Sequence, residues 1–443
     1  MQQCFGGAKN RRSGGESMAE MSAPKGVRDI LPEESWKWAY VFRMVQETAR
    51  HFGYSEVHLP IFEHTELFSR GIGDTTDVVE KEMYTFLDKG DRSITLRPEA
   101  TASMVRAYLE HRMGTLPQPV KMWCAGPMFR YERPQKGRYR QFWQVDFESI
   151  GAASPYADVE IIAISLELFR RLGLRHLEVV INSVGCPECR PDYRKRLTDY
   201  FESRKDNLCE TCLGRLERNP LRILDCKRDG CKAVTEEAPD VYDSLCGECR
   251  EHFDVVKDSL DALGASYRLD KRLVRGLDYY TKTAYEILSG ELGSQNAVCG
   301  GGRYDNLAEA IGGPHVPGVG FAAGVDRIVM VMEQQECSFG SGPSVEVFAV
   351  ALDDISRRNV LQLVDMLRRN GIVAEMDLAG KSMKAQMKAA SSRGARFACI
   401  LGESERASGT VMVKDLATAE QQEISLPLLV AELKNKLTST REG

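Results

Sequence analysis

Residues 34–52, ESWKWAYVFRMVQETARHF, set Trp38, Val41, Phe42, Val45 and Ala49 three and four apart, which predicts an amphipathic helix stopped by Gly53. SEVHLPIFE, directly after it, alternates and predicts a strand. VKMWCAGPMFRYE and YRQFWQVDFESIG predict two antiparallel strands joined by the polar tip RPQKGR. On the second strand Trp143, Val145 and Phe147 share one face, so Gln144, Asp146 and Glu148 share the other; on the first, Arg130 and Glu132 share a face. Three carboxylates and a guanidinium on one side of a sheet are costly to bury unless they bind something, and a solvated hairpin face is the alternative. A helix near 157–172 and a strand, LEVVINSV, follow. Past CSFGSGPS (337–344), which has a linker's composition, the order strand, helix, strand, helix, strand, strand predicts a separate α/β domain of roughly a hundred residues.

Composition adds limits. The chain has 443 residues, 43% hydrophobic and 28% charged, enough for two or three domains with cores of their own. Its formal net charge of −5 leaves nucleic-acid contact to local basic patches. No run of eighteen apolar residues occurs and the first twenty residues lack a signal peptide's apolar core, so no membrane partner and a cytoplasmic location are expected. Residues 1–20 read as a disordered tail, with Met18 or Met21 as candidate starts.

Eight of the thirteen cysteines fall between Cys186 and Cys249: Cys186 with Cys189, Cys209 with Cys212, Cys226 with Cys231, and Cys246 with Cys249. Two thiolates three residues apart hold one edge of a tetrahedron, so eight would fill two structural Zn²⁺ sites. How the knuckles pair is open at this point, and reduced thiols in a helical module are the alternative. The composition of 186–262 differs from both flanks and marks an insertion in a larger domain.

Further motifs accompany the hairpin. TLRPEATASMVRAY puts Glu99 and Thr101 where a strand breaks at Pro98 into a helix; RLVRGLDYYT sets Arg275 beside Tyr279 and Tyr280; GGGRYD and GFAAGVDRI, ending near Arg327, follow. Together with FRYERPQKGRYRQFWQ these resemble a class II aminoacyl-tRNA synthetase, specifically the histidyl family of bacterial type. FRYERPQKGRYRQFWQ is similar to its second class motif and GFAAGVDRI to its third. RGLDYYT and GGGRYD resemble its two histidine-specific signatures, and APKGVRDILP its entry segment. The resemblance runs from about Ala23 to the carboxyl end.

The resemblance implies a histidine–tRNA ligase that adenylates L-histidine with ATP and Mg²⁺ and transfers it to the 3′ end of histidine tRNA. It implies that Arg130 grips the α-phosphate, Arg327 the γ-phosphate and Arg138 a third phosphate oxygen, while Glu132 sits at the nucleotide end. Glu99 and Thr101 would take the α-amino end of histidine, and Gln144, Glu148 and Tyr280 would frame the side-chain pocket with Tyr279 and Tyr304 beside it. Arg275 would stabilise charge as the substrate carboxylate attacks phosphorus. Two positions depart from the family's pattern: Ala100 stands where Gly is common, and Trp143 where His is frequent.

The implied architecture is an α+β catalytic domain with a mostly antiparallel sheet (21–185 and 263–335), a helical Cys-rich insertion (186–262) and a C-terminal α/β anticodon-binding domain (344–443), assembled as a homodimer. In the insertion Arg190, Arg194, Lys195, Arg196, Arg204 and Lys205 would face the tRNA acceptor arm; in the last domain Lys381, Lys384 and Lys388 would share one helical side, with Met383, Met387 and Ala390 on another. Two other readings stand beside this one. One is a non-charging paralogue that regulates histidine biosynthesis; the other is a zinc-dependent nucleic-acid binder built on the Cys segment.

Overall fold

The computed structural model describes residues 21–73, 76–293 and 296–441, with side chains through 438; the tail expected over 1–20 lies outside the described residues. The first helix spans Pro32–Phe52. Pro32 opens it where a missing N–H leaves nothing unsatisfied, and Gly53 closes it at φ 75°, with the Tyr54 N–H bonded to the Ala49 carbonyl at 2.9 Å. Trp38, Val41, Val45 and Ala49 are buried as their spacing predicts.

An eight-stranded sheet organises the first compact unit, which runs to Phe339. Its order is Ser55–Glu56, Val120–Phe129, Gln141–Ile150, Gly318–Gly324, Ala297–Arg303, Thr281–Ser289, Leu177–Ser183 and Tyr267–Leu269. The two edge pairings are parallel and the five between them antiparallel, so the sheet is mostly antiparallel as expected. One face packs on the helices Pro32–Phe52, Pro155–Arg171, Gly247–Ala262 and Val325–Gln334 around Val145, Phe147, Ile161 and Phe321. The opposite face carries the polar chemistry. A three-stranded sheet, Phe62–His64, Ser93–Leu96 and Tyr84–Leu87, adjoins it.

SEVHLPIFE is not one strand. Ser55–Glu56 pairs with Met122–Trp123, whereas Phe62–His64 pairs with Ile94–Leu96 in the smaller sheet. Pro60 lies between them and cannot donate to a ladder, so the chain leaves one sheet and enters the other there. The hairpin is antiparallel as expected, with Val120 opposite Ile150 at one end and Phe129 opposite Gln141 at the other. Its first strand ends at Phe129, so Arg130 and Glu132 lie on the loop beyond it rather than on a strand face.

Residues between Cys186 and Cys249 build helices Arg190–Glu202, Glu210–Arg218 and Asp229–Glu236 around a core of Tyr193, Leu197, Phe201, Leu216 and Ile223 together with the cysteines. The second compact unit, from Gly340, holds a five-stranded sheet ordered Ala374–Met376, Val347–Ala351, Phe397–Leu401, Thr410–Asp415 and Gln421–Ser425. Helices Glu403–Ser408 and Leu426–Arg441 add to the predicted alternation. Lys381 departs from expectation: the helix begins at Met383, and the Lys381 N–H bonds to the Asp377 carboxylate at 2.6 Å in the preceding turn. That helix buries Gln386 and Ala390 and leaves Met383 exposed with Lys384 and Lys388, because the Gln386 amide pairs with both backbone groups of Ala351.

Candidate active site

Alternation along Gln141–Ile150 sorts its side chains as the sequence requires: Val145 and Phe147 enter the core, while Asp146 and Glu148 turn to the opposite face and are fully buried there. Gly320, across the ladder from Glu148, has no space for a methyl group, which would meet the Glu148 carboxylate and lie 2.5 Å from the Phe147 carbonyl.

Around this pair stands a nest of buried acid and hydroxyl groups. Thr101 Oγ1 donates to Glu148 at 2.6 Å, and the Tyr304 hydroxyl donates to its other oxygen at 2.6 Å. Glu99 accepts from the backbone N–H groups of Thr101 and Ala102 at 2.8 and 2.9 Å, capping the helix Thr101–Glu110, and lies 3.5 Å from the Tyr279 hydroxyl. Tyr279 rests against both Tyr280 and Tyr304. Burial pushes the carboxyls of Glu99 and Glu148 upward against these hydrogen bonds. Asp146 is driven up to about 8 by burial and by the Glu99 charge, with Arg97 and Arg130 opposing. Asp146 Oδ1 and Gln144 Oε1 have no hydrogen-bond partner among the described residues. An acceptor-rich, half-satisfied wall of this kind selects a cationic, hydrogen-donating ligand.

The other end of the same cavity, about 320 Å³ in volume, is cationic. Arg130 Nε donates to the Pro98 carbonyl at 2.9 Å and its guanidinium lies over the Phe142 ring. Arg138 pairs with Glu132 at 2.8 Å. Arg327 donates to the carbonyls of Ala297 and Gly137 at 2.6 and 3.3 Å, its pKa lowered by burial and by Arg138. Arg275 pairs with Glu286 and lies over the Tyr280 ring. Its Nε has no hydrogen-bond partner among the described residues, and although burial lowers its pKa, Tyr280 and Glu286 raise it further. A Cβ at Gly300 would collide with that guanidinium, so the glycine run of GGGRYD opens the space Arg275 occupies.

Glu99, Thr101, Gln144, Tyr279, Tyr280, Arg130, Glu132, Arg138, Arg275 and Arg327 thus line one cavity. Glu148 and Tyr304 stand behind Thr101 as a supporting layer rather than on the wall. Asp146 and Glu286 line it too and were not among the candidates. The signal for Asp146 was available, since alternation sets it between Gln144 and Glu148. Glu286 sits on a strand without a motif and is identified only by its pairing with Arg275.

The eight cysteines sort into two groups, Cys186, Cys189, Cys246 and Cys249, and Cys209, Cys212, Cys226 and Cys231, with all four sulfurs of each within 4.8 Å of one another. Sulfur separations of 3.5, 3.9 and 3.9 Å for Cys186–Cys189, Cys186–Cys246 and Cys209–Cys226 bracket the ~3.8 Å edge of a tetrahedron with Zn–S near 2.3 Å. Backbone N–H groups of Cys246 and Cys209 point at the Cys189 and Cys231 sulfurs, at 3.1 and 3.3 Å, as they do toward thiolates. Both groups have the donor chemistry and spacing of a tetrathiolate metal site.

Residues 26–328 match the family model described as histidyl-tRNA synthetase, and 346–436 match that of an anticodon binding domain. The chain is 52% identical over 411 residues to the histidine–tRNA ligase of Desulforamulus reducens, covering 93% of this chain and 98% of that one. It is 51% identical over 412 residues to the corresponding ligase of Acetivibrio thermocellus, covering 93% and 99%. The crystal structure of apo histidyl-tRNA synthetase from S. aureus superposes with a TM-score of 0.80 at 39% identity, covering 94% of this chain and all of that one. With an acidic nest and an arginine-lined end in one cavity of a class II sheet, the chain belongs to the histidyl-tRNA synthetase family.

Proposed function

We infer that this chain is a histidine–tRNA ligase, which activates L-histidine with ATP and then esterifies the terminal adenosine of histidine tRNA. The observation that carries the reading is the polarity of the cavity: buried acceptors at Glu99, Asp146 and Gln144, and four arginines opposite. An α-ammonium and a protonated or donating imidazole suit the first, and a triphosphate suits the second.

In this reading Glu99 and Thr101 receive the α-amino group, and Gln144, Tyr279 and Tyr280 border the imidazole with Glu148 and Tyr304 fixing the layer behind. Arg130 holds the α-phosphate, Arg327 the γ-phosphate and Arg138 a third phosphate oxygen, with Glu132 at the nucleotide end. The substrate carboxylate oxygen attacks the α-phosphorus, the bond to the β-phosphate oxygen breaks, and pyrophosphate leaves; no protein nucleophile is needed. Arg275, held between Glu286 and the Tyr280 ring, supplies positive charge where negative charge grows. Mg²⁺ belongs with the nucleotide and would neutralise phosphate charge, Glu132 and Glu286 being the carboxylates at that end of the cavity that would hold it. In the second step the adenosine hydroxyl attacks the mixed anhydride and AMP leaves.

The Cys-rich segment 186–262 is read as an insertion domain with two structural zinc ions, one in each four-cysteine group. Its Arg194, Lys195 and Arg218 line a cleft of about 890 Å³ beside the active cavity, which suits the phosphates of an acceptor end. The unit from Gly340 is read as the anticodon-binding domain, with Lys384 and Lys388 on its exposed helix face. A homodimer and a cytoplasmic location complete the proposal; no helix among the described residues is long and apolar enough to cross a membrane. The regulatory-paralogue reading is disfavoured by relatives near 50% identity that are histidine–tRNA ligases. Pyrophosphate exchange measured with each of the twenty amino acids tests the conclusion; exchange driven by an amino acid other than histidine, or by none, would overturn it.

A further inference from the structure

The loop Gly276–Tyr280 carries two tyrosines of the amino-acid pocket, and the Cys-rich module holds it from outside. Arg190 donates through Nη2 to the Tyr280 carbonyl and through Nε to the Val184 carbonyl at 3.3 Å. Arg222 Nη2 donates to the Gly276 carbonyl at 3.0 Å, and Asn219 Nδ2 to Asp278 Oδ1 at 3.3 Å. Carbonyls at both ends of the loop and a side chain between them are therefore set by residues of the module.

Each of these donors is tied to a cysteine group. Arg190 follows Cys189 directly, its N–H bonded to the Cys186 carbonyl at 3.1 Å. Its half-buried guanidinium sits in the field of Asp278 and of the Cys186, Cys189 and Cys249 sulfurs. Four thiolates around a divalent ion leave about two negative charges, so a cation at this position compensates a loaded group. Asn219 and Arg222 lie on the span between Cys212 and Cys226, which both belong to the second group. The helices on which these spans depend, Arg190–Glu202, Glu210–Arg218 and Asp229–Glu236, have 13, 9 and 8 residues. Helices that short are marginal in isolation and depend on the module's core, of which the cysteines form part. Metal would add a cross-link at each cysteine group.

We propose that each cysteine group takes one zinc-class divalent ion, and that this loading fixes Arg190, Asn219 and Arg222 against Gly276–Tyr280, making Arg190 a positioning residue for the amino-acid pocket. The proposal rests on the reading of that pocket as the histidine site. The metal is thereby more than a staple for the module: it sets the outer wall of the amino-acid pocket.

The test uses the full-length protein, purified anaerobically with zinc supplied, and three readouts: metal content by elemental analysis, and equilibrium dialysis of labelled histidine and, separately, of ATP. Wild type is expected to carry about two metals per chain, one for each four-thiolate group. Arg190→Ala keeps both and loses about tenfold or more in histidine affinity, as for a charged hydrogen bond removed, with ATP affinity within about twofold. Stripping the metals with chelator weakens histidine binding similarly, and zinc restores it. Cobalt in place of zinc gives the thiolate charge-transfer absorption of a tetrahedral site. Arg190→Lys keeps the charge beside the sulfurs but cannot span both carbonyls; two bound metals and intermediate histidine affinity distinguish lost positioning from lost folding. Unchanged histidine affinity in Arg190→Ala, or in stripped protein, overturns the coupling, and absence of metal from wild type overturns the loading. Wild type that carries two metals but binds no histidine overturns the assignment of the pocket instead.

Discussion

Asp158 and Arg303 meet in the interior with neither side chain exposed, Arg303 Nε lying 3.0 and 3.2 Å from the two carboxylate oxygens. His252, from the helix Gly247–Ala262 that also carries Cys249, approaches the same carboxylate at 3.2 Å, and Asp305 takes a second guanidinium nitrogen at 2.9 Å. The pair therefore joins the helix Pro155–Arg171, the GGGRYD strand and the helix Gly247–Ala262.

Removing one partner should strand the other. Asp158→Asn is expected to cost about 3–5 kcal/mol of unfolding free energy, read by urea denaturation of the full-length protein at fixed concentration. Burial raises the Asp158 carboxyl, but His252 and Arg303 outweigh it and hold it below its ordinary value. The stability it confers is present above the unfolded carboxylate pKa and is lost as pH falls through the lower folded value. The variant should accordingly lose its acid-side stability slope; an unchanged midpoint and slope would contradict the pairing.

Asp146 has the opposite sign. Raised to about 8, it holds a proton in the folded chain that the unfolded chain has lost, so its contribution to stability declines as pH rises from about 4 through 8. Asp146→Asn should flatten the fall in thermal midpoint between pH 6 and pH 9. A cationic ligand beside this carboxyl should also expel its proton, so histidine binding near pH 7 is expected to release protons. Calorimetry in two buffers of different ionisation enthalpy reads this directly; identical heats would refute it.

Arg275 and Gly300 can be tested together. Arg275→Ala should reduce histidine-dependent pyrophosphate exchange by two to three orders of magnitude, about what an oxyanion donor contributes, with ATP binding largely kept. Gly300→Ala leaves the arginine in the chain but places a methyl group in its space, and should lower exchange on the order of a hundredfold. Normal exchange in Gly300→Ala would mean that the guanidinium works from another position.

A chain ended at residue 340 retains every residue assigned to adenylation. It is expected to exchange pyrophosphate with histidine near the full-length rate while charging tRNA poorly at subsaturating tRNA, provided sedimentation shows the oligomeric state of the full-length protein. Charging at the full-length rate would remove the anticodon role from the unit beyond Gly340.

What the sequence determined by itself is local. A period of two along 143–148 separates core from acid because successive strand residues must face opposite ways. The spacing of apolar residues over 34–52 is enough for a helix, and the motif residues of the cavity were legible by their resemblance to a known family. Two thiolates three residues apart supply half a tetrahedron wherever they lie. The tertiary structure decided whatever depended on the path between such pieces. Cys186 and Cys189 join Cys246 and Cys249, across the whole module, and enclose the second group, because the helices between bring the ends of the segment back together. Asp158 finds Arg303, 145 residues away, only once a helix packs on the sheet. Lys381 leaves the helix face assigned to it because Asp377 ties its N–H into a turn. The protonation of Asp146 follows from burial beside Glu99, a property of neighbours that no spacing encodes.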